Sequence, residues 1–326
     1  MTISIAFLGF GTVARALHDL LARSPIAHTV TGVASRRIGW WANKSGLDPA
    51  VPSGTQCLDV HEWLAAAKPD VVFEAIALEP QTGQPALDYL RAVLEHGAHA
   101  ISANKGPVVH GYRELTALAD RMGRRYRFES AVMDGAPLFS LVRECLPLAG
   151  LHALSGVFTS TATIVLEAIE RGGSLADGIA HAQRLGIAEE DPSYDVDGWD
   201  SAVKLCAVAN VLLGATLRPS DVVRVGIRDL DENAVRRASA EGTPYRLIGQ
   251  VGRDEAGVVR ASVAPMQCAR GSALAVGGTT LVTHLQADVF PGGLTITSHD
   301  PDNTTTAYGM FSDFLAIYPP DVGVSY

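Results

Sequence analysis

The chain has 326 residues, of which 47% are hydrophobic and 19% are charged, an ordinary globular composition with enough apolar residues for a sizeable core. Its formal net charge of −9 at pH 7 argues against a nucleic-acid partner, because phosphate binding needs a basic face. No apolar run approaches the roughly 20 residues that span a membrane, and the first residues lack the basic segment of a signal peptide, so we expect no membrane role.

The four cysteines, Cys57, Cys145, Cys206 and Cys268, lie far apart in the sequence and form no CxxC pair. Neither structural zinc nor a disulfide framework is expected from this spacing. Two of them, Cys145 and Cys206, fall in apolar helical patterns, where a free thiol behaves as a small hydrophobic side chain. We therefore expect a reduced, cytoplasmic protein.

The first motif follows a continuous apolar strand at residues 3–8. Residues 9–14 read Gly-Phe-Gly-Thr-Val-Ala and lead into a helical pattern, which is the G-x-G-x-x-A dinucleotide fingerprint in its strand–turn–helix setting. Gly9 permits the tight turn, Gly11 lets the backbone approach a pyrophosphate, and Ala14 allows close helix packing. The alternative is a plain glycine-rich turn. We expect the cofactor to contact Gly9, Phe10, Gly11, Thr12 and Val13.

The second predicted strand, residues 29–34, ends in Ser35-Arg36-Arg37. A site for NAD usually has an acidic residue here to bind the ribose 2′-hydroxyl, whereas an arginine accommodates the 2′-phosphate of NADP. The alternative is a pair of solvated loop arginines. We predict NADP as the preferred cofactor over NAD, bound by Arg36 and Arg37, with Lys44 as a possible third contact.

Strands and helices alternate up to residue 137, which predicts a parallel sheet covered on both faces. Buried strands are expected at residues 71–76, 98–102 and 127–131. Ligands bind at the carboxyl ends of such strands, where the chain places Ile76 and Lys105. A lysine there can stabilise charge that develops on a reacting oxygen; the alternative is a solvated loop lysine.

Beyond residue 137 the pattern changes to helices followed by strands joined by short turns, such as residues 245–253 and 258–265. The fold class is therefore α/β, with a Rossmann-type doubly wound parallel sheet and a second α+β domain. We predict an NAD(P)-binding domain at residues 1–136 and a second domain at residues 137–303. A final helix within residues 304–326 is expected to pack back on the first domain.

One helix in the second domain combines an apolar surface with two charges. It is predicted to begin at Asp197 or Gly198 and to run to residue 213, and a helix that is apolar on nearly every face is normally buried. Asp200 and Lys204 lie on one face of it. The alternative is a solvated ion pair, but a buried pair is costly as a stabilising device, which favours a catalytic role.

Three motifs resemble those of the homoserine dehydrogenases: the nucleotide loop at residues 9–14, Ala103-Asn104-Lys105, and residues 186–204, which match Gly-aromatic-x-Glu-x-Asp-Pro-x-x-Asp-x-x-Gly-x-Asp-x-x-x-Lys. The resemblance covers nearly the whole chain and implies a short form without a regulatory domain. It implies the interconversion of L-aspartate 4-semialdehyde and L-homoserine with NAD(P)(H). It also implies a homodimer built through the second domain.

The resemblance assigns roles by position. Glu189 and Asp195 would hold the α-ammonium end of a small amino-acid substrate, while Lys105, Asp200 and Lys204 would act at the hydroxyl or carbonyl. A lysine that transfers a proton benefits from a pKa lowered by burial. Which of the two lysines transfers the proton is left open.

Several positions depart from the family pattern. A substrate-loop glycine is replaced by Ser160, next to Thr161, and an aromatic residue near the substrate becomes Ile187. Glycine-rich turns of the family read differently at residues 132–136 and 300–307. The family's monovalent cation site, for Na⁺ or K⁺, matches only at Glu129 and Val132. These changes leave two alternatives open: a dehydrogenase of another hydroxylated amino acid or hydroxy acid, and a nucleotide-binding sensor without catalysis.

Overall fold

The computed structural model describes residues 2–188 and 190–320. These residues form two compact units, one made of the chain up to Pro137 together with the segment from Asp302 onward, the other of residues 138–301. Each unit has a sheet of its own, with seven strands in the first and six in the second.

The first unit is organised around a seven-stranded sheet in the order β4-β3-β2-β1-β5-β6-β7. Five strands are parallel, but β3 pairs antiparallel with β2, and β4 pairs antiparallel with β3. The strands are β1 (Ile3–Leu8), β2 (His28–Ser35), β3 (Gly39–Ala42), β4 (Thr55–Cys57), β5 (Val71–Glu74), β6 (His99–Ser102) and β7 (Tyr126–Arg127). The predicted α/β fold class with a Rossmann-type sheet is confirmed, and β3 and β4 add an antiparallel edge to its five parallel strands.

The buried strands were predicted from apolar runs, and β1 has the predicted bounds. The strand expected at residues 127–131 is wrong beyond Arg127, because the chain leaves β7 there and forms a short 3-10 turn at Glu129–Ala131. The antiparallel strands β3 and β4 were not predicted. Trp40 and Trp41 there are only half-buried, so β3 lacks the fully apolar signal of the parallel strands.

Four helices connect these strands: α1 (Thr12–Ala22), α2 (Val60–Ala67), α3 (Ala86–Glu95) and α4 (Lys105–Arg121). In α1 the buried residues Ala14, Leu17 and Leu21 recur at helical spacing, which places one apolar face against the sheet. Phe7 of β1 and Phe73 of β5 are buried in the same core with their rings stacked 5.6 Å apart.

The second unit contains a six-stranded sheet in the order β13-β12-β8-β10-β11-β9. All its pairings are antiparallel except that of β11 with β9. The strands are β8 (Leu151–Val157), β9 (Val223–Arg224), β10 (Tyr245–Arg253), β11 (Val259–Gln267), β12 (Leu281–Ala287) and β13 (Phe290–Ser298). The predicted hairpin between β10 and β11 is confirmed, with Gly257 N donating to Asp254 O at 2.8 Å.

Five helices accompany this sheet: α5 (Ser160–Glu170), α6 (Leu175–Arg184), α7 (Ser193–Val196), α8 (Trp199–Leu212) and α9 (Glu232–Ala240). The predicted apolar helix is confirmed as α8, which begins after Gly198 at a φ of +81°. Ahead of β8 the chain is helical at residues 139–145, with a π-helical turn at Leu141–Cys145. Helix α9 was not predicted.

The last helix, α10 (Asn303–Ile317), belongs to the first unit, and its Ala307, Met310 and Phe314 are part of that core. Helix α10 lies close to the backbone of Gly135, where a side chain would not fit, because a Cβ there would lie 1.9 Å from Thr305 O. Asp313 accepts a hydrogen bond from Glu129 N at 2.8 Å. Within the residues that the structure describes, no helix is long and apolar enough to cross a membrane.

Candidate functional site

A cavity of about 810 Å³ lies in the first unit, where β1, β2 and β5 end. Residues predicted to bind a cofactor line it: Gly9, Phe10, Gly11, Thr12, Arg36, Arg37 and Ile76. Two others lie elsewhere. The side chain of Val13 packs against the hydrophobic core, and Lys105 begins α4 after β6 at the same edge of the sheet.

The two glycines of the fingerprint, Gly9 and Gly11, have different structural roles. Gly9 has a φ of +93°, and a Cβ there would lie 2.5 Å from Ala75 O, so the turn admits no side chain. Gly11 is the N-cap of α1, and a Cβ built on it would meet nothing within 4 Å. The open space beside Gly11 and the backbone N–H groups at the start of α1 suit a pyrophosphate. The cavity and its turn therefore fit a dinucleotide.

Three arginines, Arg15, Arg36 and Arg37, are among the residues that line this cavity. No carboxylate follows β2, whose last residue is Ser35. Arg15 was not predicted, although a cation in the first turn of a helix opposes the helix dipole and could have signalled an anion site. Its guanidinium lies 4.9 Å from the centre of the Phe10 ring.

Two aromatic residues that the sequence did not predict as site residues also line the cavity. Trp40 of β3 and Tyr89 of α3 meet edge to face at 5.3 Å. They are 49 residues apart in the sequence, so only the fold brings them together. Trp40 places an intrinsic fluorophore in the cavity wall.

A buried carboxylate that was not predicted lies at the end of β5. Glu74 accepts hydrogen bonds from Ser102 Oγ, Ile76 N and Asn104 Nδ2, at 2.5, 2.9 and 3.3 Å. Burial raises the pKa of Glu74, and these hydrogen bonds oppose the rise. Asn104 in turn caps α4, since its Oδ1 accepts from Gly106 N at 3.0 Å. Lys105 lies between the cap and its donor.

In the second unit, Asp200 and Lys204 are both buried, at 8% and 9% exposure. Lys204 Nζ lies 3.1 Å from Asp200 Oδ2 and donates to Phe158 O at 2.7 Å. The alternative of a solvated surface pair is wrong, because every residue of α8 from Asp200 to Asn210 is buried. The amine is held at the end of the segment that precedes α5.

That segment carries the predicted substrate loop. Thr159 is the N-cap of α5, and its side chain accepts no capping hydrogen bond, while Ser160 and Thr161 form the first turn. The carbonyl of Phe158, which binds Lys204, immediately precedes Thr159. The structure therefore brings Lys204 and Asp200 together with the backbone that leads into Ser160 and Thr161.

The remaining predicted substrate residues lie between α6 and α8. Ile187 is half-buried just after α6, and Asp195 is half-buried within α7. Glu189 lies outside the described residues. Asp197, at a variable position within the predicted motif, has a structural role, because it binds the guanidinium of Arg228 with contacts of 2.8 and 3.2 Å.

The two residues predicted for a monovalent cation are buried near α10. Glu129 lies in the 3-10 turn, and Val132 follows it. The described part of the chain contains no group of three or more His, Cys, Asp or Glu side chains that could hold a metal ion. A cation bound through backbone carbonyls at this turn stays a prediction.

Known protein families match both units. The homoserine dehydrogenase model matches residues 137–315, and the model of the homoserine dehydrogenase NAD-binding domain matches residues 9–129. The second match begins at the first glycine of the fingerprint, and the first match includes α8 with its buried pair.

Individual proteins agree with these models. The NAD(+)-dependent homoserine dehydrogenase of Pseudomonas canavaninivorans is 31% identical, with 96% of each chain covered. The homoserine dehydrogenase of Sulfurisphaera tokodaii is 30% identical over 71% of this chain and 76% of its own. A hyperthermophilic archaeal homoserine dehydrogenase, solved in complex with NADPH, superposes with a TM-score of 0.83 at 25% identity, covering 98% of this chain and 99% of that one.

Proposed function

We propose a lysine-assisted mechanism for this chain, which belongs to the homoserine dehydrogenase family of NAD(P)-dependent oxidoreductases. In this mechanism a lysine transfers a proton during the interconversion of L-aspartate 4-semialdehyde and L-homoserine. The observation that carries this mechanism is the buried ion pair of Lys204 and Asp200 in α8. Desolvating such a pair costs several kcal/mol for each ion, so it is a poor way to stabilise a helix. An amine fixed in an apolar setting is instead suited to proton transfer.

In the reductive direction a proton must reach the carbonyl oxygen of the semialdehyde as the carbon is reduced. The bound dinucleotide supplies the hydride. Either Lys105 or Lys204 is proposed to donate the proton to that oxygen, and the same amine accepts it back when homoserine is oxidised. Asp200, 3.1 Å from Lys204 Nζ, balances the charge of the ammonium and fixes its direction.

The amino-acid end of the substrate is assigned to the first turn of α5 and to the segment before α8. Ser160 and Thr161 present uncapped N–H groups that suit a carboxylate. Glu189 and Asp195 are proposed to hold the α-ammonium group, and Ile187 is proposed to contact the substrate. Ser160 and Ile187 also favour a second candidate, a dehydrogenase of another hydroxylated amino acid or hydroxy acid, because both change the volume beside the substrate.

NADP is proposed as the preferred cofactor, although one relative is named NAD(+)-dependent. The support is local: Arg36 and Arg37 line the cavity directly after β2, and Ser35 stands where a carboxylate would bind a free 2′-hydroxyl. The archaeal relative solved with NADPH agrees with this preference.

A homodimer formed through the second unit and a cytoplasmic location complete the proposal. Val223 and Val225 expose 72% and 57% of their surface beside the edge of the sheet, at and just after β9, where a second copy would cover them.

All four cysteines are free, which agrees with a reducing compartment. Burial raises the pKa of Cys206 to about 12, so that thiol stays protonated.

The test is a steady-state assay of NADPH and NADH oxidation with a panel of semialdehydes and keto acids. Aspartate semialdehyde should give the highest kcat/KM, with NADPH preferred over NADH. A higher kcat/KM with another carbonyl substrate would favour the second candidate. Cofactor binding without turnover of any member of the panel would instead identify a sensor.

A further inference from the structure

Glu74 is the starting point, because a carboxylate without surface exposure lies next to the cofactor cavity. It is the last residue of β5 and is fully buried. Burying a carboxylate is costly unless hydrogen bonds compensate. An apolar residue at this strand end would fill the space at less cost, so the carboxylate calls for an explanation.

Three groups donate hydrogen bonds to Glu74, and each lies on a segment that carries site residues. Oε1 accepts from Ile76 N at 2.9 Å and from Asn104 Nδ2 at 3.3 Å. Oε2 accepts from Ser102 Oγ at 2.5 Å. One side chain therefore joins the loop after β5 to the loop after β6.

Each of these two loops leads to a residue with a proposed role at the site. Ile76 lines the cofactor cavity. Asn104 uses its remaining side-chain atom, Oδ1, to cap α4 through Gly106 N at 3.0 Å. Because Glu74 fixes one end of the Asn104 amide, the other end is aimed at the helix turn that presents Lys105.

A second contact ties the same two segments together independently of Glu74. A Cβ on Gly83 would lie 2.9 Å from Gly106 C, and a Cβ on Gly106 would lie 3.1 Å from Glu79 O. The loop after β5 thus rests directly on the first turn of α4. A shift of this loop would displace the turn that carries Lys105.

We infer that Glu74 is a positioning residue, which holds cofactor-lining Ile76 and the Lys105 turn as one hydrogen-bonded unit. The inference rests on the proposed function, since it assigns Glu74 an effect through Lys105. Glu74 acts through Asn104 and is not itself proposed to contact substrate or cofactor.

Two replacements of similar size separate positioning from filling space. Glu74→Met keeps the volume and removes both acceptors, so kcat should fall about tenfold and the KM for the cofactor should rise about threefold, because small displacements of reacting groups are costly. Glu74→Gln keeps an acceptor for Ile76 and Asn104, so its kcat should stay within about threefold of the parent. Equal losses in the two variants would contradict the inference.

Asn104→Ala tests the same link from its other end and leaves the carboxylate in place. If Glu74 acts through Asn104, the kcat of the double variant Glu74→Met/Asn104→Ala should be little lower than that of the more impaired single variant. If the losses of the two single variants instead add fully in the double variant, the inference is overturned. Asp59→Ala is the matched control, because it removes the N-cap of α2, where Asp59 accepts from His61 N and Glu62 N. It should lower Tm and leave kcat unchanged.

Lys105→Ala distinguishes failure of the inference from failure of the proposed function. If Lys105→Ala keeps the parent kcat, the catalytic role of Lys105 falls, whatever Glu74 does. If Lys105→Ala is inactive while folded Glu74→Met and Asn104→Ala keep the parent kcat, the positioning role of Glu74 alone is overturned. Reduced kcat in all three, with activity retained in Glu74→Gln, supports both.

Discussion

Lys204 Nζ lies 3.1 Å from Asp200 Oδ2, one helical turn away on α8, and also donates to the carbonyl of Phe158. The amine is thus held by a charge on its own helix and by the backbone that leads into α5. Both partners are buried, so any loss of one leaves the other without its main compensation.

Removal of Asp200 alone should therefore be costly. In Asp200→Leu the ammonium of Lys204 loses its buried counter-charge, and the free energy of unfolding should fall by about 3 kcal/mol. The double variant Asp200→Leu/Lys204→Met removes both charges and should recover much of that loss. Urea denaturation measures both values; a double variant that is less stable than Asp200→Leu would contradict the account.

The two fingerprint glycines should respond differently to alanine. Gly9→Ala places a Cβ against Ala75 O at a positive φ, so the first unit should lose roughly 1–3 kcal/mol of stability. Gly11→Ala places its Cβ in open space, so Tm should hardly change while NADPH affinity falls. Thermal melts and titration of intrinsic fluorescence, with Trp40 in the cavity wall, measure both effects. Unchanged affinity in Gly11→Ala would refute the pyrophosphate assignment.

Arg36 is expected to discriminate between the two cofactors. Arg36→Ala removes a proposed charge-assisted hydrogen bond to the 2′-phosphate, so the Kd for NADPH should rise about tenfold, with little change for NADH. Arg143→Ala in the second unit is the control, because that exposed side chain donates to its sequence neighbour Glu144 at 2.8 Å and does not line the cavity. Equal weakening of NADPH and NADH would end the 2′-phosphate argument.

His99 should make stability depend on pH. Burial first, then the charges of Arg124 and Arg125, lower its pKa from 6.5 to about 4. Its Nδ1 also accepts from Arg125 N at 2.9 Å, which requires the neutral ring. The unfolded chain therefore binds the proton first, and stability is lost as the pH falls from about 6.5 towards 4.

The expected loss from this histidine between pH 7.5 and pH 5 is about 2 kcal/mol. His99→Asn cannot titrate, so its free energy of unfolding should change by about that much less over the same interval. Urea denaturation at the two pH values gives the comparison. A variant with the same pH dependence as the parent would show that His99 is not responsible.

The sequence predicted those parts of the fold whose signals are local. Strand β1, the fingerprint turn and helix α8 each carry a continuous pattern of apolar residues or glycines, and the structure has them at or near the predicted positions. Strand β3 was missed because its tryptophans are half-buried and gain their partners only from β2 and β4.

The candidate site shows the same division. Asp200 and Lys204 were visible because two charges on an apolar helix conflict with the local pattern. Glu74 was not visible, since a single acidic residue at a strand end resembles an ordinary surface residue until β6 brings Ser102 and Asn104 beside it. Trp40 and Tyr89 likewise line the cavity only because the fold brings β3 and α3 together, whereas Arg15 lies in the first turn of α1.

The kcat of Lys204→Met with saturating aspartate semialdehyde and NADPH tests the central claim most directly. If the buried amine of α8 takes part in proton transfer, kcat should fall by about 10²–10⁴ while the Kd for NADPH stays within about twofold of the parent value. A folded variant that binds NADPH normally and turns over at the parent rate would contradict the catalytic role of this lysine.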